Sequence, residues 1–472
     1  MNRNKELFFN TILFAIGNFG SKFILFLLVP LYTLTMTAEE FGTVDLIQTG
    51  VYLIWPILSL GISESVMRFI ITNKNARSEA LLLGLLIVFI SGLLTLIAAS
   101  VLNKVEIFEN YAYLFSFLYI VIATKNILSQ FCRGIEKILI YSIDGIVSAL
   151  TLTISSIVFL YFMNLGINGY LYAIIISNLI SILFLFIYCE IIKYLFTARI
   201  NKILFKDMIF YSLPLLPNTL SWWIIQTSDK YILSFFSGVL VVGLYSMAYK
   251  IPSIFNLIVS VFMQAWQLIA IKELEEDKGG SYFSSIYKYY VAVTFISSSI
   301  IILSTRPIAS LIFKNDFYDS WKFIPLLMVA FTIGNLQAFY GSIYTGVKKT
   351  TKVFISTLIG AIVNIILNFI LIPSAGVYGA LVATIASYFI IYLYRLNDVQ
   401  KYLLMDHATK KISISLILLC LLAVFYGFDY MWTDILSVVL GFLLILIYST
   451  EICEIAKKIY HHLVGLISNH KP

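Results

Sequence analysis

The chain has 472 residues, 60% of them apolar and only 12% charged, with a mean hydropathy of +0.93. A soluble domain carries roughly 25% charged residues, so this composition reads as an all-α integral membrane protein and excludes a nucleic-acid binder or a membrane anchor bearing a globular head. The net charge of +7 is spread along the chain, and the four cysteines form no CxxC pair, which excludes a disulfide scaffold or thiolate metal site and reads as buried, inert thiols.

A spanning helix needs about 20 mostly apolar residues, and about 14 such runs occur in chain order: 7–35, 41–66, 80–102, 110–131, 139–163, 168–193, 208–236, 239–271, 284–304, 322–346, 352–373, 377–394, 411–427 and 433–450. The first follows the basic MNRNK and has no A-x-A cleavage site, so it reads as a span and not as a removed leader. It carries Asn18, Ser21 and Lys22, with Pro30 near its end. The second holds Asp45, Pro56 and Glu64, the fourth Lys125, and the fifth Asp144. In the seventh, Pro214 and Pro217 precede Asn218, Ser221, Asp229 and Lys230; the prolines predict a kink because each removes a backbone donor. The eighth repeats Lys250, Ser253, Asn256, Ser260, Gln264 and Gln267 at intervals of three and four, one helical face that must turn to protein or water. Asn335 and Gln337 are further polar candidates in the tenth.

Lysine and arginine favour short cytoplasmic loops. With the N-terminus inside, 24 cations fall on the cytoplasmic side and four outside: Lys104, Arg306, Lys314 and Lys322. Both termini are therefore expected in the cytoplasm, and the segment 305–322 is expected to lie along the outer surface. Its loops are too short for a folded extramembrane domain.

Self-comparison gives a repeat. Phe41-Gly42-Thr43-Val44 matches Val242-Gly243-Leu244-Tyr245, and Gly166-Ile167-Asn168-Gly169-Tyr170-Leu171 matches Gly376-Val377-Tyr378-Gly379-Ala380-Leu381. Spans one to six thus correspond to seven to twelve. This predicts two six-helix lobes in parallel repeat, residues 1–200 and 201–400, with two extra C-terminal helices in 401–472. The pseudo-twofold axis should run along the membrane normal, enclosing a central cleft.

Catalytic and cofactor signals are nearly absent, so the chain is not expected to be an enzyme or to hold a metal. His407, His461, His462 and His470 fall in cytoplasmic segments without a zinc pattern and read as solvated. At Gly341–Gly346 a phosphate-binding loop would need lysine where Val347 stands. What remains is buried charge. At about 1.5 Å per residue, Lys22, Lys125 and Lys250 lie roughly 16 to 23 Å from their helix starts. Such ions mark a ligand or a pathway. Deep cations without matching acids suit an anionic headgroup such as phosphate, and rings such as Trp222, Trp223 and Trp266 offer faces for sugars. Asn18, Asn256 and Gln264 are candidate lining groups. Asp45, Glu64, Asp144, Asp229 and Lys230 are candidates for ion coupling or gating.

The segments Asp229-Lys230-Tyr231-Ile232, Gly243-Leu244-Tyr245-Ser246 and Tyr249-Lys250-Ile251-Pro252, with the repeated Gly-x-x-Gly turns, resemble polysaccharide-biosynthesis flippases. These are the O-unit, Wzx-type members of the multidrug/oligosaccharidyl-lipid/polysaccharide exporter superfamily, and the resemblance covers residues 1 to 450. It implies translocation of an undecaprenyl-diphosphate-linked oligosaccharide from the inner to the outer leaflet of a bacterial plasma membrane by alternating access, in surface polysaccharide assembly. Membrane lipids, a polysaccharide polymerase and chain-length machinery are the partners it implies. By depth and charge, Lys22, Lys125 and Lys250 would engage the diphosphate. A cation-coupled multidrug antiporter of the same superfamily is the first alternative, although its cationic substrates would call for deep carboxylates. A membrane polysaccharide polymerase or ligase is the second, and it would normally need a larger outer loop.

Overall fold

The computed structural model describes residues 19–105, 108–275, 280–428, 430–454 and 457, and all regular elements among them are helices. Packing groups them into two compact units, one running up to Ser246 with Ile312–Phe317 added, the other holding Met247–Leu311 and the chain from Tyr318 onward. These units follow packing and not the repeat: residues 201–246 pack with the first unit.

The first unit begins with α1 (Phe19–Thr35), α2 (Ala38–Leu58) and α3 (Ile62–Thr72). A reciprocal cap starts α2, the Glu40 N–H donating to Thr37 Oγ1 at 3.2 Å and the Thr37 N–H to Glu40 Oε2 at 2.9 Å, so two otherwise unpaired amide donors are satisfied at once. Then follow α4 (Arg77–Leu102), α5 (Ala112–Gly134), α6 (Ile138–Ser156), α7 (Gly166–Tyr188), α8 (Ile191–Thr197), α9 (Lys202–Ser212), α10 (Leu216–Ser237) and most of α11 (Val239–Ala248). The expected seventh-span kink takes the form of a 3-10 turn, Leu213–Leu215, between α9 and α10. Pro214 sits in a 3-10 turn and Pro217 in the first turn of α10, where a missing amide donor costs nothing. Gly238, at φ 87°, lets the chain turn from α10 into α11.

The second unit comprises α12 (Lys250–Glu275), α13 (Gly280–Leu303), most of α14 (Thr305–Ile312), α15 (Ile324–Gly346), α16 (Thr350–Val399), α17 (Thr409–Tyr426) and α18 (Met431–Ile447). The 50 residues of α16 are two helices joined at Gly376, whose φ of 54° and ψ of −129° are non-helical. Its repeat counterpart Gly166 has φ 52°. Both positions need the left-handed region that glycine enters without steric cost, which explains why this turn is repeated.

Among the described residues, ten helices are long and apolar enough to cross a membrane, and two more, Phe19–Thr35 and Met431–Ile447, are apolar but shorter. The expected runs fall on helix wherever they are described, the first from Phe19 onward, but not one to one: 41–66 covers α2 and α3, 239–271 covers α11 and α12, and 352–373 and 377–394 share the bent α16, so the expected number of 14 spans is not established. The segment 305–322 forms α14 and a 3-10 stretch. Its Arg306 is tied to the last helix pair: Nη1 contacts Asp434 at 2.8 and 2.9 Å, Nη2 donates to the Tyr426 and Phe428 carbonyls, and the guanidinium lies over the Trp321 and Tyr426 rings.

Candidate functional site

The repeat brings its own matched residues into contact. A methyl built on Gly42 would overlap the Val239 carbonyl oxygen and lie 2.9 Å from Gly243 N. One built on Gly243 would overlap the Ala38 carbonyl oxygen and lie 3.1 Å from Gly42 N. Ala38 and Val239, like Gly42 and Gly243, are repeat equivalents. The starts of α2 and α11 therefore meet backbone to backbone about a local twofold axis, as in a self-complementary interface. One turn further in, Asp45 and Ser246 continue the same register. Asp45 Oδ2 accepts from Ser246 Oγ at 2.8 Å and from Lys230 Nζ at 2.7 Å.

Lys230 is 8% exposed and breaks the symmetry by adding an ion pair on one side only. Beside it Asp229, fully buried, accepts from Tyr245 Oη at 2.6 Å and from the Lys230 backbone N–H at 2.9 Å. Tyr231 Oη donates to the Leu46 carbonyl at 2.7 Å, and Trp223 Nε1 to the Thr49 carbonyl at 3.1 Å. At 1.5 Å per residue, Asp45 and Lys230 both lie about 10 Å from the helix ends that the charge bias assigns to the outside. Two carboxylates, one ammonium and a ring of hydroxyls thus form a junction in which Asp45 touches α10 and α11. Residue order singles out Asp45, Asp229 and Lys230 separately. Extending the repeat register by three residues, from Gly42/Gly243 to Asp45/Ser246, is the signal that sets Ser246 beside Asp45, whereas Asp229 and Lys230 join them only through the packing of α10.

The other candidates are dispersed. Lys22 is exposed on α1 and Asn18 falls outside the described residues. Lys125 is half-buried in the first unit and donates to Ser148 Oγ at 2.7 Å, with Ser177 3.0 Å beyond. Nearby Asp144, 3% exposed, accepts from Ser181 Oγ. Lys125 is therefore held by a hydroxyl, and among the described residues no carboxylate lies within ion-pair distance of it. Glu64 is exposed on α3. On α12, Lys250 and Ser260 are half-buried while Ser253, Asn256, Gln264 and Gln267 are exposed, so the polar face points away from the interior of the second unit. Ser253 and Ser260 hydrogen bond back to carbonyls of their own helix, not to neighbouring helices.

Several expectations are corrected. Trp266 is 2% exposed, stacked 5.0 Å from Phe339 and bonded to Ser342 Oγ, so it cannot offer a face to sugar. Asn335 and Gln337 are buried inside the second unit. Cys453 is exposed and Cys420 half-buried, whereas Cys132 and Cys189 are buried. His407 is not solvated: it is 7% exposed and its Nδ1 lies 3.1 Å from Tyr340 Oη. Burial pushes its imidazole below the ordinary value, with Asp406 opposing. His461, His462 and His470 lie outside the described residues.

Arg395, expected among the cytoplasmic cations, is 2% exposed. It donates to Ser356 Oγ, Thr357 Oγ1 and the Gln337 and Val353 carbonyls at 2.9 to 3.4 Å, all neutral acceptors. Among the described residues no three histidine, cysteine or acidic side chains converge as a metal site would require.

Residues 7–267 match a family model described as "Polysaccharide biosynthesis protein". A search of curated proteins finds no match. Among solved structures, the chain is similar to "Lipid II flippase MurJ, inward closed conformation", with TM-score 0.70, 18% identity, and 96% of this chain and 100% of that one covered. It is also similar to an inward-facing multidrug resistance MATE family transporter of the MOP superfamily, with TM-score 0.66, 17% identity, and coverage of 83% and 95%. A MOP superfamily transporter from Pyrococcus furiosus, described as having a binding pocket of reverse polarity, matches with TM-score 0.59 and 15% identity over 83% of this chain and 95% of that one. At these identities the likeness is one of fold.

Proposed function

Because the chain belongs to the polysaccharide biosynthesis protein family, we propose that this multi-pass membrane protein is a flippase. It would carry an undecaprenyl-diphosphate-linked oligosaccharide repeat unit from the inner to the outer leaflet of a bacterial plasma membrane by alternating access. The observation that carries this reading is the reciprocal contact of α2 with α11. A junction symmetric about the repeat, close-packed through glycine and latched by one titratable ion pair, is suited to open and close as a unit.

In this reading both termini are cytoplasmic, residues 1–200 and 201–400 act as the two lobes, and 401–472 is an appendage. Asp45, Asp229 and Lys230 form the outer gate. Protonation of Asp45, or a cation drawn to the two carboxylates, would release Lys230 and loosen the latch. Lys22, Lys125 and Lys250 receive the diphosphate, with Asn18, Asn256 and Gln264 lining its path. Glu64 and Asp144 are further coupling candidates. Such lysines disfavour the cationic drugs of an antiporter sharing this fold. A polymerase and chain-length machinery would take up the product.

The test is transport by the full chain in a flippase-deficient strain, with cationic-dye efflux measured in parallel. Lys22→Ala combined with Lys250→Ala should reduce complementation while membrane insertion is unchanged. Full complementation by that double variant removes the role given to the lysines, and dye efflux without complementation favours the antiporter.

A further inference from the structure

A second polar feature lies apart from the junction. A cavity of about 470 Å³ in the second unit is lined by the first turns of α13, the segment around Asp406, the start of α17 and the residues that follow α18. All four belong to the end of the bundle that the lysine and arginine bias assigns to the cytoplasm.

Its wall carries two ammonium groups, Lys288 and Lys411, and three carboxylates, Asp406, Glu451 and Glu454. Glu451 is 2% exposed and fixes the arrangement: Lys411 Nζ lies 2.6 Å from its Oε1 and Lys288 Nζ 3.9 Å. Lys288 also reaches Glu454 at 3.6 Å, and Lys411 sits 4.5 Å above the Tyr448 ring. Tyr287 also lines the cavity, and Glu454 accepts a further hydrogen bond from Tyr289 Oη at 2.7 Å.

A simple anion entering this cavity meets three carboxylates, and a simple cation meets two ammonium groups. A molecule bearing both signs meets a partner for each. We propose that the cavity binds a zwitterion carrying a phosphate diester and a primary ammonium, that is, a phosphoethanolamine headgroup, with the phosphate at Lys288 and Lys411 and the ammonium at Asp406 and Glu454. The occupant is held against α13, α17 and the end of α18, tying the last helix pair to the second unit.

The test uses the purified full-length chain in nanodiscs of phosphatidylethanolamine or phosphatidylglycerol with identical acyl chains, read as lipid retained in native mass spectrometry. The ethanolamine lipid should be retained preferentially. Asp406→Asn keeps the oxygen that accepts the Ala408 N–H and removes only charge, and Lys288 is 42% exposed, so neither Asp406→Asn nor Lys288→Met disturbs the core. Asp406→Asn should cut the preference about threefold, and Lys288→Met, which faces a phosphate that both lipids carry, should lower retention of both about threefold, the scale of one partly exposed charge contact each. Equal retention of the two lipids, or a preference unchanged by Asp406→Asn, overturns the proposal. Glycerophosphoethanolamine, added as a soluble competitor, separates the sources: displacement at equal concentration assigns the cavity to a soluble headgroup, and failure to displace assigns it to the lipid, each supporting the zwitterion.

Discussion

Lys230 and Arg395 are both buried cations on membrane helices, yet their partners differ in kind. Lys230 meets a carboxylate on α2, a helix of the other half of the repeat, at 2.7 Å. Arg395 meets two hydroxyls and two carbonyls, all on α15 and the near half of α16. A carboxylate can take a proton and let go, whereas carbonyls and hydroxyls accept at every physiological pH. The first arrangement is releasable and joins halves of the repeat; the second is permanent and closes a hairpin within one unit. The location of a charge says less about its task than whether its partner titrates.

The largest effect should come from removing close approach at the junction. Gly243→Val places side-chain atoms where the Ala38 carbonyl lies, so the α2–α11 contact cannot form and transport should be lost. Gly42→Val should do the same through Val239, and equal losses in a complementation assay would support the symmetry; a silent Gly42→Val would break it. Next, Lys230→Met strands Asp45 in a low-dielectric setting. A double-mutant cycle with Asp45→Asn, read by chemical unfolding in detergent, should give a coupling of about 3 kcal/mol, the scale for breaking a buried pair. Arg395→Met should cost about 2 kcal/mol by leaving buried acceptors unpaired, with Arg395→Lys recovering part of it. Unlike the junction variants, it should lower thermal stability without changing the pH profile of transport.

The smallest effect concerns His407. Its folded imidazole titrates below the unfolded value, so the folded chain binds fewer protons between the two. Its contribution is full above about pH 6.5, and is lost as pH falls from there through the depressed folded value. Thermal unfolding of His407→Gln should show a flatter dependence across that window than the parent chain.

Much of the architecture is readable from residue order, because hydrocarbon solvent imposes long apolar runs and repeats impose matched glycines. The Gly42/Gly243 and Gly166/Gly376 pairs announce turns and close approaches through a residue type that few other roles demand. Arg395 was misplaced because linear counting ended its span at 394, while the helix continues to Val399 and carries the guanidinium into the packed interior. His407 sits in a linker that folds back onto Tyr340, and no periodicity encodes such a return. The Lys125–Ser148–Ser177 chain depends on three helices meeting, which apolar patterning alone does not fix.

Where Gly42 and Gly243 are each other's wall, neither can acquire a side chain unless the opposing backbone withdraws, so mutational drift at one position is policed by the other. Asp45 and Ser246, one turn on, mark the place where the two halves of the repeat cease to be chemically alike, one offering a carboxylate where the other offers a hydroxyl.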